Sequence, residues 1–109
     1  MVRIITFLLL SISHLAIAKG PVNSNKITKV AFQTGGFFMY ATDWENPNNC
    51  TRSNAVVLKT SDSNYDKAYS LLLAAYMSEK KVSGYSDGCV TFDGQTYNSI
   101  RGFKYLVIE

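Results

Sequence analysis

Side chains able to do chemistry are few and unevenly placed in this chain of 109 residues. The densest group lies in residues 42–54 (TDWENPNNCTRSN), where Trp44 stands beside Asp43, Glu45, Asn46, Asn48 and Arg52. An aromatic ring edged by planar hydrogen-bonding groups suits a sugar. The ring covers the apolar face of the pyranose, while amides, carboxylates and a guanidinium take its hydroxyls. A tryptophan in so polar a loop has two ways to sit, as an exposed platform or tucked back as a lid on the core. Phe92 and Tyr97, flanked by Asp93, Gln95 and Asn98, form a second group of the same kind, whose alternative is ordinary packing. The expected ligand-binding residues are therefore Trp44, Asp43, Glu45, Asn46, Arg52, Phe92, Tyr97 and Asn98.

Catalytic chemistry is much poorer. Residues 1–18 open with Met1-Val2-Arg3, continue as an apolar run from Ile4 to Ile12 and end in Ala16-Ile17-Ala18. These are the three parts of a secretory signal peptide. A membrane-spanning helix needs about 20 apolar residues, and Ser11, Ser13 and His14 interrupt this run too early. Removing 18 of 109 residues leaves 91, takes the formal charge from +3 to +2 with Arg3, and removes the one histidine, His14. Without imidazole there is no Ser-His-Asp triad, no Cys-His pair and no histidine metal site. Of the carboxylates, Asp66 suits a helix cap, and Asp87 and Asp93 precede glycines as turn formers do. Their spacing lacks the density of a calcium loop. No enzyme activity, cofactor or metal is expected. A charge of +2 with scattered lysines is a weak field for nucleic acid, so neither that partner nor membrane insertion is expected.

Two cysteines remain, Cys50 and Cys89. An even count in a small exported chain reads as a disulfide, and two cysteines allow one connectivity. The compartment is expected to be periplasmic or extracellular.

The elements that must position these groups follow from patterning. Residues 19–26 (KGPVNSNK) read as a loose N-terminal arm. The stretches 27–32 and 37–41 flank Gly35-Gly36, which makes a β-hairpin. After the 42–54 loop, 55–58 (AVVL) is a short buried strand. Apolar positions Ala68, Leu71, Leu72 and Ala75 recur at helical spacing, giving a helix over 64–80, with Ser63 and Asp66 as a capping box and Lys80 and Lys81 at its negative end. Strands follow over 82–85 and 89–92, and 100–108 (IRGFKYLVI) closes the chain. Five or six short strands around one amphipathic helix suit a mainly β domain over 27–109, an OB-like five-stranded barrel with one disulfide.

The stretch 68–82 (AYSLLLAAYMSEKKV), an apolar-striped helix running at once into a strand, resembles the B subunits of AB-type bacterial toxins, most closely those of subtilase cytotoxin and typhoid toxin. Residues 89–92 and 96–100 (CVTF and TYNSI) are similar to a segment of the heat-labile enterotoxin B subunit. The resemblance spans about 27–108 and implies an OB fold, a homo-oligomer of five copies, a host-surface glycan as ligand and a catalytic A subunit as partner. Seven tyrosines suit such interfaces. The expected function is thus a secreted, non-catalytic module that binds glycans or a surface protein. Its alternative is a monomeric periplasmic or secreted inhibitor or accessory domain.

Overall fold

The computed structural model describes residues 19–109; the expected signal peptide, 1–18, lies outside the described residues. The described chain is mainly β, with strands β1 (Gly20–Lys26), β2 (Lys29–Gln33), β3 (Gly36–Tyr40), β4 (Arg52–Lys59), β5 (Lys81–Ser86), β6 (Cys89–Phe92), β7 (Gln95–Ser99) and β8 (Val107–Ile108). One helix, α1 (Tyr65–Met77), connects β4 to β5. The strands form a three-stranded sheet ordered β1-β5-β8 and a five-stranded sheet ordered β2-β3-β4-β7-β6. All neighbours are antiparallel except β4 and β7. Strand structure lapses at 27–28 and at 87–88, and the strands form two separate sheets that are not closed into the expected barrel.

Several elements differ from expectation, each for a local reason. The loose arm is strand β1, paired with β5 from Gly20↔Ser86 to Lys26↔Lys81. Only Val22 among its side chains is fully buried, so its strand character comes from its partner rather than from its own composition. The first turn falls on Thr34-Gly35, with Gly35 at φ +99°, and Gly36 belongs to β3. A β-carbon on Gly36 would lie 2.7 Å from both the Phe92 ring and Val57, so glycine is required there for close approach. The capping box does not form. Asn64 occupies the N-cap without a side-chain bond, and Asp62 Oδ1 instead accepts from the Asn64 N–H at 2.9 Å. The helix stops at Met77 because Glu79 turns left-handed at φ +59°. The Glu79 and Lys80 amides then bond back to Tyr76 and Ala75, the Schellman pattern.

The expected closing strand is also broken. Strand β7 ends at Ser99 and β8 begins at Val107; in the 100–106 bend between them, Ile100 and Arg101 still donate to the Val57 and Tyr85 carbonyls before the chain turns away. Gly102 N–H donates to Asp62 Oδ2 at 2.9 Å rather than to a strand, and Tyr105 sits at φ +64°.

The main core joins Val22, Ile27, Phe37, Met39, Val56 and Leu58 to Ala68, Leu72 and Ala75 of α1, with Val82 and Ile100. The opposite face of the five-stranded sheet carries a second, smaller core of Phe38, Ala55 and Val57, covered by Tyr40, Val90, Phe92 and Tyr97. In a flat sheet β6 would lie three strand spacings, about 14 Å, from β3. Yet the Phe92 ring abuts Gly36. The β6–β7 hairpin therefore curls over β3, and Gln33 Nε2 donates to Asp93 Oδ2 at 3.1 Å across the gap. The disulfide joins Cys50 to Cys89, with Cα atoms 5.7 Å apart.

Candidate functional site: a cleft at Arg101

The structure redistributes the residues singled out from sequence. Trp44 is not a platform. It is 6% exposed and part of the main core, and its Nε1–H donates to the Met39 carbonyl at 3.1 Å. Asn23 pins the loop on both sides of it, donating to the Asp43 carbonyl and accepting from the Glu45 amide. Asp43, Glu45 and Arg52 are exposed, with no ring offered to solvent beside them from Trp44.

Asn46 and Asn98 form a latch rather than a binding surface. Asn98 is buried, and its Nδ2 donates to Asn46 Oδ1 at 2.7 Å while its Oδ1 accepts from Asn48 Nδ2 at 2.9 Å. Asn46 also exchanges bonds with the Cys50 backbone, and Asn48 donates to Ser86 Oγ. The disulfide beside this network fixes the loop to β6. Phe92 and Tyr97 do come together, packed edge-on against Phe38 at 4.9 and 5.1 Å, as the covering of the second core. Asn98 lies on the opposite face of β7 from Tyr97, because neighbouring residues of a strand alternate.

The combination sought at Trp44 occurs elsewhere. Where the end of β4, the loop before α1 and the 100–106 bend meet, a cleft of about 190 Å³ is lined by Lys59, Ser61, Asp62, Ser63, Asp87 and Ser99, with Arg101 and Phe103 on its wall. Each element contributes for a physical reason. The parallel β4–β7 pair brings Ser99 beside Val57, two residues from Lys59. The Asp62 carboxylate accepts from Asn64 and Gly102, which holds the pre-helix loop against the bend. Arg101 binds Asp87 through two bonds of 2.6 Å, a fork-on-carboxylate geometry. Its guanidinium lies 4.3 Å from the centre of the Tyr85 ring and 5.5 Å from that of Phe103. The hydrogen bond from Arg101 holds the Asp87 carboxyl below its ordinary range, and Arg101 is correspondingly more firmly protonated.

Lys59 and Arg101 balance Asp62 and Asp87, so the cleft is close to neutral in charge yet dense in fixed donors and acceptors. Phe103, 54% exposed, provides an apolar ring at its edge. Such a site can take a polyol ring. Sequence reasoning missed it because 100–108 looked like one strand; the signal available was Gly102, since a glycine inside a strand marks a break or a close approach.

Among the described residues no three His, Cys, Asp or Glu side chains converge as a metal ion requires. Nor is any helix there long and apolar enough to cross a membrane. Compared with known proteins, the chain matches no protein-family model, no curated protein and no solved structure.

Proposed function

We propose that the protein is an exported, non-catalytic binding module that holds carbohydrate in the cleft at Arg101. The observation that carries this reading is the placement of Arg101. Its guanidinium is fixed by a two-bond contact to Asp87 and flanked by the Tyr85 and Phe103 rings. The guanidinium N–H groups and carboxylate lone pairs left over from that contact are thereby held in place at an aromatic edge, which lowers the ordering cost of binding. Lys59 adds an ammonium, and Ser99, whose hydroxyl donates to the Gly88 carbonyl at 3.1 Å, adds an acceptor oxygen. The disulfide is consistent with an oxidising compartment, periplasmic or extracellular.

The scaffold we read as OB-like. If β1 and β2 count as one bent strand, and β5 and β6 as another, each of the five strands has two neighbours in a cyclic order, with β4 parallel to β7. The helix lies between the third and fourth of them. The resemblance to toxin B subunits agrees with this and extends it to a ring of five copies with a catalytic partner. Light scattering on the purified protein tests the ring: a mass of one chain at micromolar concentration overturns it.

Binding is tested on a glycan array and then by titration with the best glycan, comparing the wild type with Phe103→Ala and Ser99→Ala. Phe103→Ala is expected to weaken binding roughly tenfold or more, since one buried aromatic contact has that worth. Absence of any glycan binding, or full binding by Phe103→Ala, overturns the proposal.

A further inference from the structure

The cleft does not end at Phe103. On the other side of that ring a second cavity, of about 230 Å³, runs between α1 and the 100–106 bend. Its lining is mixed, with Ala68 and Leu71 from the helix and Leu106 from the bend as the apolar part, beside Lys67, Lys104 and Tyr105. Leu71 is 43% exposed and Tyr105 is 60% exposed, so apolar surface is open to solvent here, with the Lys104 ammonium 5.0 Å from the centre of the Tyr105 ring. Tyr105 holds a left-handed backbone, φ +64°, which a bulky residue adopts only when its surroundings impose it. That conformation sets its ring at the rim of the cavity. Gly102 lies between the two cavities, where a β-carbon would come within 2.9 Å of both Ala68 and the Asp62 carboxylate. The same residue thus lets the bend lie against the helix and bonds to the floor of the polar cleft.

We infer that the ligand is an amphiphilic glycoside, with its sugar in the cleft at Arg101 and an apolar aglycone in the groove of Leu71, Leu106 and Tyr105. This rests on the carbohydrate reading of the cleft. Phe103 lines both cavities, so a group attached to the sugar at that edge lies beside the groove. The polar side chains of the groove are Lys67, Lys104 and Tyr105, all exposed, while Ala68, Leu71 and Leu106 offer the apolar area that favours an aryl or alkyl group.

The test compares methyl glycosides with p-nitrophenyl glycosides of the common hexoses, titrated into the ¹⁵N,¹³C-labelled protein. For the sugar that binds, the aryl glycoside is expected to bind roughly tenfold or more tightly and to shift the Leu71 methyl and Tyr105 amide signals. The methyl glycoside should shift Ser99 and Arg101 but not Leu71. Leu71→Asp should remove the aryl advantage and leave the methyl glycoside unaffected; Leu71→Gln, a milder change at the same exposed position, checks that the fold is kept. Equal affinity for aryl and methyl forms overturns the aglycone site alone. Failure of every glycoside, aryl included, overturns the cleft reading and this one with it.

Discussion

At the residue scale, two side chains show how a polar neighbourhood misleads about position. Trp44 has a carboxylate neighbour on each side in sequence, yet its indole reaches the core and its N–H finds the Met39 carbonyl. Trp44→Ala should therefore cost about 3–5 kcal/mol of stability, as large-to-small core changes do. Trp44→Phe, which keeps a ring but leaves a buried carbonyl without its donor, should cost about 1–3 kcal/mol. Urea unfolding measures both; changes within about 0.5 kcal/mol, the range of surface substitutions, would place the ring outside the core. Asp87 is the second case. Its folded carboxyl is held below the ordinary range by Arg101, so its contribution is present above the unfolded carboxylate pKa of about 4. That contribution is lost as pH falls through the lower folded value. Stability should thus decline on acidification below about pH 4, and Asp87→Asn should flatten that decline while lowering stability at neutral pH. An acid limb identical in the two proteins would refute the role given to this contact.

At the element scale, what the residues announced depends on where their partners lie. Helix α1 was legible because its apolar stripe is written at its own spacing; of the four expected positions Ala68, Leu72 and Ala75 are buried, while Leu71 is 43% exposed. Its end was less so, because the left-handed Glu79 is set by the chain's need to enter β5 rather than by a glycine. The disulfide was legible from cysteine count alone. Strand β1 was not: KGPVNSNK becomes a strand through β5, some 60 residues away, and only Val22 is fully buried among its side chains. The 100–106 bend was hidden for the same reason, since Asp62, which draws Gly102 out of line, lies 40 residues earlier. For the β6–β7 hairpin the curl itself is testable. Gly36→Ala places a β-carbon against Phe92 and Val57 at 2.7 Å and should cost about 1–3 kcal/mol, as overpacking does. Gly88→Ala, with nothing within 4 Å of the added carbon, should stay within about 0.5 kcal/mol. Thermal unfolding of the two variants side by side checks the contrast.

At the scale of the whole molecule, two long-range ties hold a small domain together, and they act differently. The disulfide links residues 39 apart in sequence. Through loss of unfolded-chain entropy it should be worth about 4 kcal/mol, read as the difference in unfolding free energy between wild type and the Cys50→Ser, Cys89→Ser double variant. The other tie is β1. Five of its positions pair with β5, and it runs directly into β2, so it joins the three-stranded sheet to the five-stranded one. Without it β5 would keep only the two-residue β8 as neighbour, and so short a pair does not stand alone. Val22 would also vanish from the core, opening Val82 and Ile27 to water. A chain beginning at Ile27 should accordingly lose its cooperative unfolding transition and bind a hydrophobic dye, as compact states without fixed packing do. Loss of the tie should reach the ligand site as well, because Tyr85, the ring beneath Arg101, lies on β5 opposite Pro21 of β1. If the truncated chain unfolds cooperatively at the wild-type midpoint, β1 is an ornament to the fold and the two sheets are held together by α1 and the core alone.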